Sequence, residues 1–524
     1  MMRAGSIAWI AGHELRLAWR DFVSMATGGR RRRTAVAVLL VAIFIAFMHW
    51  LADLTVGGHA DAVPDRQTLT IVTGAVVLSW SLMLSQALEQ VTRAFYQRAD
   101  LDLILSSPLP ARRLFTVRIA AIAGTTMAMA LFLIAPFVNV LAWHGGPRWL
   151  SAYGVVFALG ASATAVAVAL TDSLFRWVGP RRTRYAAQVL AAVTGAVFVI
   201  GIQAAAIVSY GSPARFDLLQ SEAVAALAPA VESAFWWPAR AVLGEGSPLA
   251  AVLALGCALF VAAIAFFSTR FARHARATAG APSTLRARQG RAAAFGRSTP
   301  GTVLRRKEWM LLRRDPWLMS QSLMQVLYLI PPALLLWRNF GEGSDMPVFV
   351  APVLVVTAGQ LAGGLAWLAV SGEDAPDLIG SAPVTARSVL RAKVEATMAA
   401  IVCLFAPFLL ALAFGSLWIA LVAAAGIVAA ALSAIQIQLW FRLQARRTHF
   451  RRRHTSSRVA TFAEALSSFS WAGAAGLAAA GSPLAPAGAL VALAVLLGTG
   501  VLRPVAVRRR QAPVAPTPSQ LSPA

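Results

Sequence analysis

The stretch TAVAVLLVAIFIAFMHWLADL, residues 34–54, decides the class of fold to which this chain belongs. Its only ionisable residues are His49 and Asp53, and both lie near one end. At about 1.5 Å of rise per residue, a helix of this length crosses a hydrocarbon core of about 30 Å. Four arginines precede it at residues 30–33, and we interpret the stretch as a retained transmembrane helix rather than a cleaved secretory signal.

Comparable apolar stretches recur along the whole chain of 524 residues. Hydrophobic residues make up 58% of the chain and charged residues 13%, whereas soluble domains are about 45–50% apolar and about 25% charged. This composition leaves too little polar surface for a set of soluble domains. We predict an all-α, polytopic membrane protein with about twelve transmembrane helices, near residues 34–54, 69–90, 117–142, 150–175, 185–209, 248–269, 317–337, 347–370, 394–414, 416–440, 459–480 and 484–502.

The basic residues predict the orientation of these spans. Of the 47 lysines and arginines, 42 fall in the two termini and every second loop, and only five fall in the other loops: Arg66, Arg148, Arg215, Arg240 and Arg338. Positive residues accumulate on the cytoplasmic side of membrane proteins. We therefore predict a protein of the bacterial inner membrane with both termini in the cytoplasm, which requires an even number of spans.

The formal net charge of +25 does not indicate nucleic-acid binding. The most basic short loop, residues 442–458, lacks the aromatic interleaving typical of such sites, and we interpret it as a topology signal in contact with anionic lipid headgroups. His449 and His454 in this loop have no carboxylate nearby, which favours solvated side chains over metal ligands. Cys257 and Cys403 lie within apolar stretches and are predicted to be core residues rather than disulfide partners.

An internal repeat without gaps is the second feature of the sequence. DLILSSPLPAR, residues 102–112, aligns with DLIGSAPVTAR, residues 377–387, and seven of the eleven positions are identical. The alignment extends to Arg118 opposite Lys393, and each copy lies between the second and third predicted span of its half. We therefore predict two parallel six-span repeats in residues 1–269 and 301–510, a basic cytoplasmic linker in residues 270–300 and a disordered tail in residues 511–524.

A weaker repeat precedes the first span of each half. There the pattern Glu-x-x-Leu-x-x-Arg-Asp occurs twice, and apolar and tryptophan side chains are interspersed with charged ones, as is typical of a helix that lies along the membrane surface. The candidate residues of these interfacial helices are Glu14, Arg20, Asp21, Glu308, Arg314 and Asp315.

The element at residues 102–112 and its copy at residues 377–387 can be interpreted in two ways. The residue before a proline is pushed out of the helical region, so we expect a short helix, a break, and a new helix that runs into the third span. One interpretation is a rigid elbow between spans, with Arg112 and Arg113 facing lipid headgroups. The other is a docking element for a cytoplasmic partner, present once in each half.

DLDLILSSPLPARR, residues 100–113, resembles the cytoplasmic segment of bacterial ABC exporter permeases of the type-2 class. KEWMLLRRDPW, residues 307–317, resembles the interfacial helix before a first span in that family. In the family, six-span permease domains pair with separate ATPase subunits, and short cytoplasmic helices transmit ATP-driven motion. The resemblance implies that the residues coupled to an ATPase are Asp102, Leu103, Arg112, Asp377, Leu378 and Arg387. The chain departs from the family in carrying two six-span units.

Motifs for catalysis and for cofactor binding are missing from the sequence. Lys307 and Lys393 are the only lysines, and neither follows the glycine-rich loop that binds ATP phosphates. We therefore expect no enzymatic activity and no cofactor or metal in this chain, with ATP hydrolysis in a separate subunit. Asp61 and Asp65, which follow the first span, are interpreted as solvated loop residues rather than catalytic acids.

Polar side chains at membrane depth are costly and mark candidate functional positions. Glu89 lies four residues before Arg93, and we predict an ion pair between them. Glu464 lies about two turns into the eleventh predicted span without an obvious local partner. Gly359 and Gly363 have the spacing that favours close contact between helices.

The leading interpretation is the permease subunit of an ATP-driven exporter. An ion-coupled secondary transporter remains an alternative, because parallel six-span halves would give the same hydropathy pattern. A membrane assembly factor without a transport role is the third interpretation. A repeated cytoplasmic element is expected for the first class, and neither of the other two requires it.

Overall fold

A computed structural model describes residues 6–27, 34–96, 110–210, 229–279, 299–314, 346–371, 381–441 and 458–501, and the single residues 323, 327 and 379. All regular structure in these residues is helical, and they contain no strand. Eight of the helices are long and apolar enough to cross a membrane. The chain is therefore an all-α, polytopic membrane protein.

The described helices fall into two compact units. The first unit contains α1 (Ile7–Thr27), α2 (Thr34–Val56), α3 (Arg66–Tyr96), α4 (Ala111–Gly145), α5 (Ser151–Trp177), α6 (Pro180–Tyr210), α7 (Trp237–Val242) and α8 (Gly246–Ala279), with short 3-10 helices at Gly57–His59, Pro147–Leu150 and Ala234–Trp236. The second unit contains α9 (Pro300–Arg314), α10 (Met346–Ser371), α11 (Ala386–Gly415), α12 (Leu417–Trp440), α13 (Arg458–Ala479) and α14 (Ala485–Val501).

Eight of the predicted spans coincide with the eight membrane-compatible helices, which are α3, α4, α5, α6, α8, α10, α11 and α12. Three further predicted spans fall on α2, α13 and α14, which are helices outside that set of eight. In α13, Glu464 and three serines interrupt the apolar sequence and lower its hydropathy. Nearly all of the predicted span at residues 317–337 lies outside the described residues.

The core of the first unit lies between α3, α4 and α5. Its buried side chains include Met83, Leu88, Phe115, Val168 and Phe175. Long apolar helices that pack together in a membrane bury one face against their neighbours and expose other faces to the hydrocarbon. The polar contacts described below lie at the two ends of this packed bundle.

A second cluster closes the end of the first unit where α4 turns into α5. Leu69, Trp149, Trp236 and Leu243 are buried together. The indole nitrogen of Trp149 donates a hydrogen bond to the carbonyl oxygen of Ala60 at 3.0 Å. The bond satisfies the indole, as burial of a tryptophan requires, and it holds the segment after α2 against the turn between α4 and α5.

Helices α4 and α11 begin at corresponding positions of the internal repeat. Helix α4 starts at Ala111 directly after Pro110, and α11 starts at Ala386 directly after Thr385. The Thr385 hydroxyl accepts a hydrogen bond from the backbone N–H of Ser388 at 3.2 Å, which caps α11. The prediction that a new helix begins here is confirmed in both units, and each of these helices is long and apolar enough to cross a membrane.

Asp65 caps the start of α3. Its Oδ1 accepts a hydrogen bond from the backbone N–H of Thr68 at 2.8 Å. Hydrogen bonds from the Thr68 side chain and backbone stabilise the ionised form and lower the pKa of Asp65. Asp65 is therefore an N-cap residue of α3.

Helix α10 packs closely against α13 in the second unit. A Cβ atom on Gly359 would overlap the Ser468 side chain, and one on Gly363 would overlap the carboxyl group of Glu464. The close contact predicted from the spacing of these glycines is therefore confirmed, and Glu464 lies within it.

Candidate functional site

A buried ion pair joins the amphipathic helix α1 to α4 in the first unit. Oε1 of Glu14 lies 3.8 Å from Nε of Arg118, and only 4% of the Arg118 side chain is exposed. On the same two helices, Ile10 packs against Leu114 and Val117, and all three are buried. Apolar contact and buried charge together fix α1 to the first turns of α4.

The second unit contains the corresponding pair between α9 and α11. Nζ of Lys393 lies 3.0 Å from Oε1 of Glu308, whose side chain is 1% exposed. Lys393 also donates a hydrogen bond to the carbonyl oxygen of Ala369 near the end of α10. The ammonium group of Lys307 lies 3.1 Å from the same Glu308 oxygen. Lys393 therefore connects three helices, and Glu308 is compensated by two cations.

A more exposed ion pair adds to this contact in the second unit. Nε of Arg305 lies 3.2 Å from Oε2 of Glu395, and Nε of Arg391 lies 2.7 Å from Oε1 of Glu395. The repeat places Ala11 and Ala120 at the positions of Arg305 and Glu395 in the first unit. The two units thus share the buried pair and differ in the exposed one.

We call Glu14–Arg118 and Glu308–Lys393 the helix-anchoring pairs. Glu14 aligns with Glu308 in the weaker repeat, and Arg118 aligns with Lys393 in the stronger one. All four residues can be identified from the two repeats in the sequence. The sequence does not predict that, within each unit, the acid of the weaker repeat contacts the basic residue of the stronger repeat. Both acids lie on the predicted interfacial helices and are buried.

Of the other candidates of the interfacial helices, Arg20 is the one whose side chain the structure describes. Arg20 is exposed on α1. The side chains of Asp21 and Arg314 and the whole of Asp315 lie outside the described residues.

Two of the six predicted coupling residues can be placed. Arg112 and Arg387 are the second residues of α4 and α11, and both are exposed. Each therefore lies in the first turn of the helix that carries an anchoring pair. The other four lie outside the described residues: Asp102, Leu103, Asp377 and Leu378.

Asp172 is a buried acid that sequence analysis missed. Its side chain is 1% exposed near the end of α5 and forms an ion pair with Arg176, one turn further along the same helix. Nη1 of Arg270, on α8, lies 3.7 Å from the same Asp172 oxygen. An acid followed by an arginine four residues later was the available signal, and it is the same signal that identified Glu89.

Glu89 and Arg93 form the predicted ion pair on α3. Their side chains are 42% and 48% exposed, in contrast to Asp172. The two pairs share the spacing of four residues and differ in burial, so they form a natural comparison within one unit.

Replacing Asp172 with Asn should lower the free energy of unfolding by about 2 kcal/mol, because two arginines lose a buried charged acceptor. Replacing Glu89 with Gln should change it by about 0.5 kcal/mol or less, because exposed pairs at this spacing contribute little. The measurement is unfolding of the purified chain in mixed micelles, followed by circular dichroism. Equal effects of the two variants would show that Asp172 does not hold α5 to α8.

Glu464 has a partner that sequence analysis did not identify. Nε2 of Gln438, on α12, donates a hydrogen bond to Oε2 of Glu464 at 2.5 Å. On the neighbouring turns, the indole nitrogen of Trp471 donates to the Ser433 hydroxyl at 3.0 Å. The interior of the second unit therefore contains a polar contact between α12 and α13.

A polar strip joins α2, α4 and α5 at the opposite end of the first unit from Asp172. Nε2 of His144 lies 2.8 Å from Oδ1 of Asp53, and Nδ2 of Asn139 lies 3.3 Å from Nε2 of His49. The Tyr153 hydroxyl donates to Oδ1 of Asn139 at 2.6 Å. The two contacts of α2 with α4 join residues 91 and 90 apart in sequence, so local sequence patterns could not predict them.

Within the described residues, no group of three or more His, Cys, Asp or Glu side chains is arranged to hold a metal ion. Comparison with known proteins finds no matching family profile, no matching curated protein and no matching solved structure.

Proposed function

We propose that this chain is the membrane-spanning permease subunit of an ATP-driven, ABC-type exporter, and that it pairs with a separate ATPase subunit in the cytoplasm. The helix-anchoring pairs carry the proposal, because in both units they join an amphipathic helix to the span that follows the repeated element. A partner that pushes on this element would move the span and the amphipathic helix together. Two copies of the element would supply two equivalent contact points.

The length of the anchored helices supports transmission of force across the membrane. Helices α4 and α11 are continuous over 35 and 30 residues and begin directly after the repeated element. At about 1.5 Å of rise per residue, each exceeds the thickness of the hydrocarbon core. Arg112 and Arg387 are exposed in the first turn of these helices, where acidic groups of a partner could reach them.

The proposal includes a specific layout in the membrane. Twelve spans form two parallel six-span repeats, which the basic linker at residues 270–300 joins, and both termini lie in the cytoplasm of a bacterial cell. The charge asymmetry of the loops supports this orientation. The arginine-rich loop at residues 442–458 then meets the anionic lipids of the inner leaflet.

An ion-coupled secondary transporter is the second candidate, and Glu464 is the observation that favours it. Ionisable side chains inside a membrane bundle often mark ion pathways. Such a transporter would work without an ATPase partner, so the two functions differ in what binds to the cytoplasmic face.

The test is co-purification of an ATPase with the tagged chain from its native membranes. We expect the wild-type chain to retain a stand-alone ATPase with a Walker motif, identified by mass spectrometry. Replacing Asp102 and Asp377 with Ala together should reduce the recovered ATPase at least tenfold, because both proposed contact points lose their acidic residue. The matched control is Glu89→Ala, which removes an exposed acid outside the repeated element.

Either of two results would contradict the proposal. One is the absence of any co-purifying ATPase with the wild-type chain. The other is unchanged recovery and unchanged ATPase activity with the double variant.

A further inference from the structure

Glu464 is a buried carboxyl group at the meeting point of three helices of the second unit. Only 7% of the residue is exposed. Gln438 of α12 donates to one carboxyl oxygen at 2.5 Å, and Gly363 of α10 lies so close that no side chain fits between them. The carboxyl group of Glu464 is therefore buried and accepts a hydrogen bond from an amide.

The helices around Glu464 provide no charge to compensate it. Helices α10, α12 and α14, which pack against α13, contain no Asp, Glu, Lys, Arg or His in their sequences. The only other charged residue of α13 is Arg458 at its first position. Within the described part of the chain, Glu464 makes no ion pair. It differs in this from Glu14, Glu308 and Asp172, each of which has a basic partner.

An ionised carboxylate without a cation is far more costly to bury than a neutral carboxylic acid. A buried acid in this situation takes up a proton instead of remaining charged. The amide of Gln438 can donate to the carboxyl group in either protonation state, so the hydrogen bond is compatible with the neutral acid.

We propose that Glu464 is a proton-binding site and that it holds a proton in the conformation described. The carboxyl O–H bond breaks only when α13 separates from α10 and water enters. The proton then passes to water and leaves a solvated carboxylate, and the reverse step reloads the site. One carboxyl group and one proton per chain are involved, and the water that enters is the proton acceptor.

The contact between α10 and α13 supplies polar atoms along which the proton could move. Ser468 meets Gly359 one turn from the place where Glu464 meets Gly363. The hydroxyls of Ser467 and Ser468 and the side-chain nitrogen of Gln360 are buried and make no hydrogen bond within the described part of the chain. Buried polar groups of this kind are the usual hydrogen-bonding partners of internal water.

This proposal goes beyond the permease function and does not depend on it. It requires no ATPase, and it can be tested on the purified chain alone. A chain that fails to bind an ATPase could still hold the proton, and a functional permease could have an ionised Glu464.

The direct test is infrared spectroscopy of the purified full-length chain in lipid at neutral pH. We expect a carbonyl stretching band of a protonated carboxylic acid, because the proposal places a proton on the buried carboxyl group of Glu464. The band should disappear in Glu464→Gln, which keeps the shape of the side chain. It should persist unchanged in Glu89→Gln, the matched control on an exposed acid.

A second variant keeps the test decisive if Glu464→Gln does not fold. Gln438→Leu leaves the carboxyl group in place and removes its hydrogen-bond donor, so the band should persist and shift in frequency. The proposal is overturned if the wild-type chain shows no protonated-acid band at neutral pH. It is equally overturned if the band is insensitive to both Glu464→Gln and Gln438→Leu.

Discussion

Replacing Glu308 with Gln should lower the free energy of unfolding by about 3 kcal/mol. The substitution conserves the size of a side chain that is 1% exposed and removes its charge. Lys393, whose side chain is 12% exposed, then loses its carboxylate partner, and Lys307 loses the same carboxylate. Unfolding in mixed micelles with increasing denaturing detergent, followed by circular dichroism, measures the loss.

Two further variants isolate the cause of this effect. Arg306→Gln changes an exposed neighbour on α9 and should alter the free energy of unfolding by less than about 0.5 kcal/mol. Replacing Glu308 and Lys393 together with Leu should cost less than Glu308→Gln alone, because it leaves no uncompensated charge at the pair. If the double variant were the least stable of the three, the anchoring pair would not act through buried charge.

Most of the helices could be predicted from the sequence because a membrane restricts the secondary structure that a spanning segment can adopt. Any segment that spans hydrocarbon must satisfy its own backbone, so a long apolar stretch has little alternative to a helix. The eight membrane-compatible helices all coincide with predicted spans for this reason. Helix α13 follows the rule less clearly, since Glu464, Ser467 and Ser468 are buried against protein and need not be apolar.

The anchoring pairs show how far the candidate site could be predicted. The repeats identify Glu14, Arg118, Glu308 and Lys393, since duplication preserves residues at corresponding positions. The pairing of acid with base could not be predicted, because Glu308 and Lys393 are 85 residues apart in sequence. Which face of α9 meets α11 depends on how the helices dock, and an amphipathic pattern alone does not specify that face.

The contacts of Asp172 and Glu464 with other helices could not be predicted from the sequence either. The arginine four residues after Asp172 indicates a local pair, but the contact with Arg270 of α8 depends on tertiary packing. The partner of Glu464 is an amide on another helix, and glutamines are too frequent in these spans for one to be selected in advance.

Replacing Gly363 with Ala should lower the free energy of unfolding by about 3 kcal/mol, because the added methyl group overlaps the carboxyl group of Glu464. Either the Glu464 side chain moves and loses its hydrogen bond from Gln438, or α10 and α13 separate. The measurement is again detergent-induced unfolding of the purified chain. Gly364 provides a matched control, since a methyl group there meets nothing within 4 Å.

The control variant should change stability in the opposite direction. Gly364→Ala should raise the free energy of unfolding by up to about 1 kcal/mol, because alanine favours the helical backbone more than glycine does. Adding Glu464→Ala to Gly363→Ala should recover most of the lost stability, since the group that the methyl overlaps is then absent and the two sites are in direct contact. Equal stability of the two glycine variants would mean that α10 and α13 do not approach each other at Gly363. Additive effects of Gly363→Ala and Glu464→Ala on the free energy of unfolding would mean that the Glu464 carboxyl group does not contact Gly363.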